Sequence, residues 1–257
     1  MAHEKPAPPP AQSDWAFFLD VDGTLLELAA TPDAIYVDAA LPALLSALHC
    51  ASAGAVALVS GRALADLDRR LGLPALAKAG QHGLERRDAA GHLWLHAAPS
   101  RAKYAIKAAL APLLESHRGL LLEDKGLTLA LHYRQVPELA DQVNRLMRRL
   151  VAEAGEGLVV QEGKCIVEVK PGGVDKGTAV AEYLAEPPFI GRRAVFIGDD
   201  KNDEHAFAAV NARGGISIGV GVGDFCAHYR LSDVSAVRAW LSGALANRRA
   251  PDEIGRV

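Results

Sequence analysis

Phe17-Phe18-Leu19-Asp20-Val21-Asp22-Gly23-Thr24-Leu25-Leu26 is a short apolar run that ends in two carboxylates two residues apart, followed at once by a glycine and a threonine. Read as a strand, it sends Asp20 and Asp22 off from one face, because residues two apart point the same way. Gly23 then lets the backbone turn sharply and approach a ligand closely. Two carboxylates at a strand's carboxyl end can hold a divalent cation, and one can attack a phosphorus atom. The stretch alone is also an ordinary Asp-Gly turn with solvated acids. Three further pieces, in a fixed order, decide between the two readings.

Working outward, short apolar runs at 15–19, 55–59, 75–79, 194–197 and 215–219 alternate with helical patterns around 40–51, 62–71, 176–185, 203–211 and 233–246. Continuous rather than alternating apolar strands between helices predict an α/β fold with a doubly wound, mostly parallel sheet. Such sheets bind ligands beyond the carboxyl ends of their strands, where Asp20, Ser60 and Asp199 fall. Between about 81 and 170 the pattern changes. A hairpin turning at Ala89-Ala90-Gly91 is followed by a helix over about 99–117, strands at 120–123 and 127–134, a helix over about 137–154, and strands at 158–161 and 165–170. That order predicts an α+β cap domain with an antiparallel sheet, inserted between core segments 15–80 and 171–257.

The chain has 257 residues, half of them hydrophobic and 23% charged, enough to bury a substantial core. A net charge of −3 and the absence of any Lys/Arg run argue against nucleic acid or an anionic membrane as partner. Cys50, Cys165 and Cys226 are too scattered for a disulfide framework or a CxxC metal site, which fits a reducing compartment. Residues 1–14 are proline-rich without an apolar signal region and predict a disordered tail. The apolar stretch 39–59 is interrupted by Pro42, Ser46, His49, Ser52 and Gly54 and resolves into helix, turn and strand rather than a membrane span. The expectation is a cytoplasmic protein.

The second piece is Val59-Ser60-Gly61-Arg62, an apolar strand ending in a hydroxyl. Ser60 can donate to a phosphate oxygen, with the following amides aimed at an anion, or can simply cap a helix. The third is Val174-Asp175-Lys176-Gly177, a lysine opening a helix. If buried, its ammonium offsets phosphate charge; if exposed, it is one surface lysine among many. The fourth is Val195-Phe196-Ile197-Gly198-Asp199-Asp200-Lys201-Asn202-Asp203-Glu204. Acids favour a helix N-terminus through the macrodipole, but that does not explain why an apolar strand twice delivers aspartates at its carboxyl end.

Taken together, DxDGT, a strand-end serine, a lysine and GDDxxD resemble the haloacid dehalogenase-like phosphatase superfamily, whose core is Rossmann-like. The resemblance implies Asp20 as nucleophile and Asp22 as general acid/base. It implies that Ser60 and Lys176 hold the phosphoryl group. Asp199 then completes a Mg²⁺ site with Asp20 and the backbone carbonyl of Asp22, with Asp200 and Asp203 either as auxiliary ligands or as supports behind the ligands. Mg²⁺ suits such a site because it takes few protein oxygens and leaves positions for water and phosphate.

Within that superfamily the segments Gln81-His82-Gly83-Leu84-Glu85, Glu123 to Arg134 (EDKGLTLALHYR) and Glu168 to Gly177 (EVKPGGVDKG), with GDDKNDE, resemble the trehalose-6-phosphate phosphatase family across about 15–245. Val21 and Asn202 depart from the usual pattern without touching a carrying side chain. The resemblance implies trehalose 6-phosphate as substrate, coupling to a trehalose-6-phosphate synthase, and a mobile cap closing on the sugar. Gly61, Arg62, His82, Glu123, Lys125, His132, Arg134 and Glu168 are then the substrate-binding candidates; each could instead belong to a salt-bridged surface. On the two-residue period Lys125 and His132 fall on opposite faces, unless the strand starts after Gly126 or carries a bulge. The alternatives are another sugar-phosphate phosphatase, such as one acting on sucrose or mannosyl phosphates, and a non-catalytic regulatory homologue. No GxGxxG follows the first strand, against a nucleotide-dependent oxidoreductase.

Overall fold

The computed structural model describes residues 5–97, 101–155 and 157–246. The first part alternates as β1 (Ala16–Leu19), α1 (Ala40–Ala51), β2 (Val56–Val59), α2 (Leu64–Leu71) and β3 (Ala77–Gly80), then turns back as the hairpin β4 (Glu85–Arg87) and β5 (Leu93–Leu95). Next come α3 (Arg101–Ala109), α4 (Ala111–Ser116), β6 (Leu121–Asp124), β7 (Leu129–His132), α5 (Ala140–Ala154), β8 (Leu158–Gly163) and β9 (Ile166–Pro171). The chain closes with α6 (Lys176–Tyr183), β10 (Ala194–Gly198), α7 (Glu204–Asn211), β11 (Ile216–Val220), β12 (Tyr229–Leu231) and α8 (Val234–Ala246).

The large sheet has eight strands in the order β12-β11-β10-β1-β2-β3-β4-β5, parallel from β12 to β3. Every residue of β1 is buried, so its two faces serve two cores. Phe17 and Leu19 pack with Leu41, Leu45 and Leu48 of α1 and with Val237 and Leu241 of α8. Ala16 and Phe18 pack on the opposite side with Val180 and Tyr183 of α6 and with Phe207 of α7. A strand apolar at every position therefore reads as the middle layer of three. The chain winds from β1 toward β3 on one side and from β10 toward β12 on the other, so the order reverses between β1 and β10. A crevice opens at the strand ends there.

The second sheet is antiparallel in the order β6-β7-β9-β8. Its apolar face (Leu129, Leu131, Val167, Val169) packs against Ile106 of α3 and Val143, Met147 and Leu150 of α5. Its other face turns toward the crevice. The fold is thus the expected α/β core with an antiparallel insertion.

Four expectations need correction. The hairpin assigned to the insert instead extends the large sheet: β4 pairs antiparallel with β3, and β5 with β4. Arg86 of β4 fixes it there, buried against the Tyr183 ring at 4.7 Å and paired with Glu182 of α6 and with Glu186 beyond it. Local pattern reveals a hairpin; which sheet it joins is a non-local choice. The helix expected over 99–117 is two helices, broken ahead of Pro112, which has no N–H to donate inside a helix; residues 98–100 lie outside the described residues. The helix expected from 62 starts at Leu64, and β12 had no strong sequence signal.

The fourth concerns the tail. Residues 1–4 lie outside the described residues, but 5–14 rest on the core. Pro6 and Pro9 carbonyls accept from Arg230 N at 3.0 Å and Trp240 Nε1 at 2.9 Å, and Ala11 is 1% exposed. Prolines carry little backbone entropy to lose, so a few such bonds suffice to hold the segment. Among the described residues no helix is long and apolar enough to cross a membrane.

Candidate active site

β10, β1 and β2 lie side by side in parallel register, which sets Asp199, Asp20 and Ser60 in a row at their carboxyl ends. Lys176, the first residue of α6, is aimed at this row by a capping box in which Asp175 accepts from Thr178 N at 2.8 Å. Its ammonium is 4% exposed and donates to Asp20 Oδ1 at 2.7 Å and Asp203 Oδ1 at 2.6 Å. The other Asp203 oxygen accepts from the amides of Asp199 (2.9 Å) and Asp200 (3.0 Å), folding that loop around the fully buried carboxylate. Gly23, at φ +82°, admits Asp199 to the cluster: a Cβ there would stand 2.2 Å from Asp199 Oδ2.

Carboxylate oxygens of Asp20, Asp199 and Asp203 lie within 4.8 Å of one another. Burial pushes the Asp20 carboxyl well above the usual range; Lys176 opposes that, and Asp203 and Asp199 add to it. Asp199 is raised as well, by burial first, against the pull of Lys164 and with the push of Asp203. Burial works against the Lys176 ammonium, yet Asp20 and Asp203 outweigh it and hold the charge. Three buried acids and one buried ammonium leave negative charge that a cation can offset, and a donor set made only of oxygen is that of a hard divalent metal. Asp200 stays apart, accepting from Lys201 N at 2.7 Å.

The Asp22 carboxylate is not in this cluster. Arg62 grips it with two bonds, Nε to Oδ2 at 2.7 Å and Nη2 to Oδ1 at 2.9 Å, and also holds Asp66 at 2.6 Å. That fork fixes the carboxylate at the mouth of the crevice. Ser60, 1% exposed, accepts from Arg62 N at 3.1 Å. Its hydroxyl thus supports the turn before α2 and also lines the crevice with its donor still uncommitted.

Across the crevice stands the polar face of the small sheet. Glu123, Ala130, Glu168 and Gln161 share one row across β6-β7-β9-β8, and Leu121, His132, Ile166 and Gly163 the next. β7 begins only at Leu129, so Lys125 belongs to the preceding turn, and its conflict with His132 on the two-residue period disappears. Lys125 Nζ donates to Glu168 Oε1 at 2.6 Å and to the Gly61 carbonyl at 3.0 Å. His82, from the core, meets Glu168 Oε2 at 2.6 Å and Gln161 Nε2 at 3.1 Å. His132 and Glu123 pair at 2.9 Å. Burial raises the Glu168 carboxyl, but Lys125 and His82 outweigh it and hold it far below the usual range.

All the candidate residues line one crevice except Asp203, which lies behind it as the support of the Asp199 loop. The crevice is open to solvent at its mouth. Sequence reasoning missed Gln161, Lys164 and an apolar lip at Leu28, Ala29, Pro32 and Ile35. Gln161 was within reach, since it lies opposite Glu168 on the polar period of its strand. Lys164, in a turn, and the lip, in a long loop, carry no period to betray them.

The trehalose-phosphatase family profile matches residues 18–235. A probable trehalose-phosphate phosphatase of Sinorhizobium fredii is 46% identical over 209 residues, covering 81% of this chain and 78% of its own. The trehalose-6-phosphate phosphatase of Escherichia coli is 41% identical over 239 residues, covering 91% and 87%. Among solved structures, the C-terminal domain of the C. albicans trehalose-6-phosphate phosphatase superposes with a TM-score of 0.84 over 96% of this chain and 99% of that one, at 21% identity, a likeness of fold.

Proposed function

The chain belongs to the trehalose-phosphatase family, and we propose that it hydrolyses trehalose 6-phosphate to trehalose and phosphate through an aspartyl-phosphate on Asp20. The observation that carries this reading is the pairing within one crevice of buried Asp20 and Lys176 at the strand ends with a polar sheet face lined by Glu123, Lys125, His132 and Glu168. The first half fits any phosphate monoester; the second fits a ligand rich in hydroxyls.

In this reading an Asp20 carboxylate oxygen attacks phosphorus as the bond from phosphorus to the sugar oxygen breaks. Asp22, positioned by Arg62, gives its proton to the departing oxygen. It then takes a proton from the water that attacks the phosphoenzyme, releasing phosphate and restoring Asp20. Ser60 and Lys176 hold the phosphoryl oxygens. Asp20, Asp199 and the Asp22 carbonyl are assigned to the metal, for which we propose Mg²⁺, with Asp203 and Asp200 supporting. When bound, that ion offsets the charge with which a phosphate dianion repels a carboxylate. We place the protein in the cytoplasm, drawing its substrate from a trehalose-6-phosphate synthase.

Phosphate release from trehalose 6-phosphate, sucrose 6-phosphate and glucose 6-phosphate tests the reading, each with chelator and with Mg²⁺ restored. A strong preference for the first, lost with chelator and regained with Mg²⁺, is expected. Equal rates would reduce it to a general sugar-phosphate phosphatase. Full activity in excess chelator would remove the metal, and no release at all would favour a regulatory homologue.

A further inference from the structure

The tip of the small sheet reaches into the acid cluster of the large one. Lys164, in the turn between β8 and β9, donates from Nζ to Asp199 Oδ2 at 2.5 Å and to the Asp199 carbonyl at 2.9 Å. Its own N–H donates to Asp200 Oδ2 at 3.3 Å. Gly163 lets the turn come so close, because a Cβ there would stand 3.0 Å from Asp200 Oδ2 and 3.2 Å from Asn202 Nδ2. Arg134 Nη2 braces the turn, donating to the Lys164 carbonyl at 3.0 Å. The Asp199 side chain is 5% exposed and that of Lys164 46%. The acid is therefore a fixed part of the core, and the lysine is the partner free to leave.

We propose that Lys164 is a positioning residue that makes cap closure sensitive to the phosphoryl group. Its ammonium and the divalent cation compete for Asp199, and an incoming phosphate relieves the competition by accepting the ammonium. This rests on the reading of Asp199 as a metal ligand. With no metal bound, the ammonium supplies part of the positive charge that the three acids lack. With metal bound, closure over an empty crevice sets two cations against one carboxylate, which is repulsive. A phosphate dianion in the crevice offers negative charge to both, and the cap then closes without that conflict. Free trehalose carries no such charge, so the cap tip distinguishes the phosphorylated sugar from the product that must leave.

Mg²⁺ binding by titration calorimetry, in the absence of sugar, tests this on wild type, Lys164→Met, Lys164→Arg and Asp199→Asn, each with and without inorganic phosphate. Thermal melting checks that each variant is folded. Lys164→Met is expected to bind Mg²⁺ about 3- to 10-fold more tightly than wild type, the range for a charged contact to a half-exposed lysine. Lys164→Arg, which keeps the competing charge, should stay near wild type. Phosphate should narrow the gap between wild type and Lys164→Met, since linkage is reciprocal. Equal or weaker Mg²⁺ binding by folded Lys164→Met, with Asp199→Asn losing the metal, overturns the proposal and leaves the metal reading standing. A gap that phosphate leaves unchanged overturns the phosphate-sensing role. No Mg²⁺ binding by any of the four proteins overturns the metal reading and the proposal with it.

Discussion

The acids at the end of the large sheet and the acid at the centre of the small one are equally buried, yet they sit in opposite electrostatic states. Asp20 and Asp199 are held above the usual carboxylate range, because burial and mutual repulsion exceed what nearby lysines return. Glu168 is held far below it, because Lys125 and His82 more than offset its burial. One cluster is short of positive charge; the other is complete. They also differ in ownership. Asp20, Lys176, Asp199 and Asp203 all hang from one three-layered core and persist whatever the small sheet does. Glu168 and Gln161 come from the small sheet and Lys125 from its β6–β7 turn, while His82 and the Gly61 carbonyl come from loops of the large-sheet core. That cluster exists only while the two are together. Under the proposed function the difference becomes a division of labour, in which a fixed, charge-deficient site is assigned the chemistry common to all phosphate esters and a balanced, two-sided site is assigned the reading of the sugar.

The hardest blow to the first half of that comparison is Asp20→Asn. The amide is nearly isosteric, and Lys176 keeps Asp203 as partner, so melting should stay close to wild type. Turnover should fall by at least ~10³, alike for trehalose 6-phosphate and a small aryl phosphate, because both share the phosphoryl group. A folded variant that keeps more than about a tenth of the rate would end the covalent mechanism. Lys176→Ala is a blunter probe. It strands two buried carboxylates, and breaking a buried pair costs about 3–5 kcal/mol of stability, enough to confuse folding with catalysis.

Asp22→Asn sharpens the picture within the core. The sugar oxygen needs a proton to leave and a phenolate does not. Losing the acid should cost about 10²- to 10⁴-fold in kcat with trehalose 6-phosphate. With the aryl ester the first step should recover, and a burst of product should mark a phosphoenzyme that now hydrolyses slowly. Equal losses on both substrates with no burst would remove Asp22 from proton transfer.

How much of this was legible in the sequence follows from the same contrast. The core was the more legible half because Asp20, Ser60 and Asp199 each follow an unbroken apolar strand and Lys176 opens a helix, positions that local patterning marks. The cap was half legible. Its strands and polar face follow from period, but the placement of Lys125 depended on where β7 starts, and Gln161 on its register opposite Glu168. The hairpin of β4 and β5 was seen as a hairpin and given to the wrong sheet, because the partners of Arg86 lie about a hundred residues away. The proline-rich segment was read as a tail because its acceptors are backbone carbonyls, which look the same in every sequence.

Glu168→Ala should act on the second half alone. It leaves Lys125 and His82 buried without their shared anion, and each unpaired group costs on the order of 1–3 kcal/mol, or one to two decades of kcat/KM for trehalose 6-phosphate. The aryl phosphate, too small to meet the sheet, should lose far less. Glu123→Ala, which frees His132, should show the same selectivity more weakly, since this pair is more exposed. If the ratio of the two substrates stays constant in both variants, the cap does not read the sugar.

The smallest expected effect tests whether the second site is as balanced as it looks. His82 Nδ1 lies 3.1 Å from the Gln161 amide nitrogen and Nε2 lies 2.6 Å from Glu168 Oε2, an arrangement that suits a neutral ring accepting from Gln161 and donating to Glu168. Burial holds His82 below the usual imidazole range, and the push of Lys176 and Lys125 helps it outweigh the pull of Glu168. The sign follows directly. With the sheets apart, His82 loses part of that burial and moves back toward the value of a free imidazole, about 6.5. Closure disfavours the proton, so its contribution is whole above that pH and is lost as the pH falls toward the lower value of the closed form. The ratio of kcat/KM for trehalose 6-phosphate to that for the aryl phosphate should therefore decline from pH 7.5 to 5.5, with Gln161→Glu on the same two substrates as the control for Asp22 and for the different ionisation of the two esters. Gln161→Glu puts an acceptor where the donor was, which favours the protonated ring, so the decline should flatten or reverse. A wild-type ratio that is flat with pH, or a Gln161→Glu profile identical to it, would mean that His82 does not sense closure and that the two-sided cluster is a static contact rather than the sugar-reading half of the site.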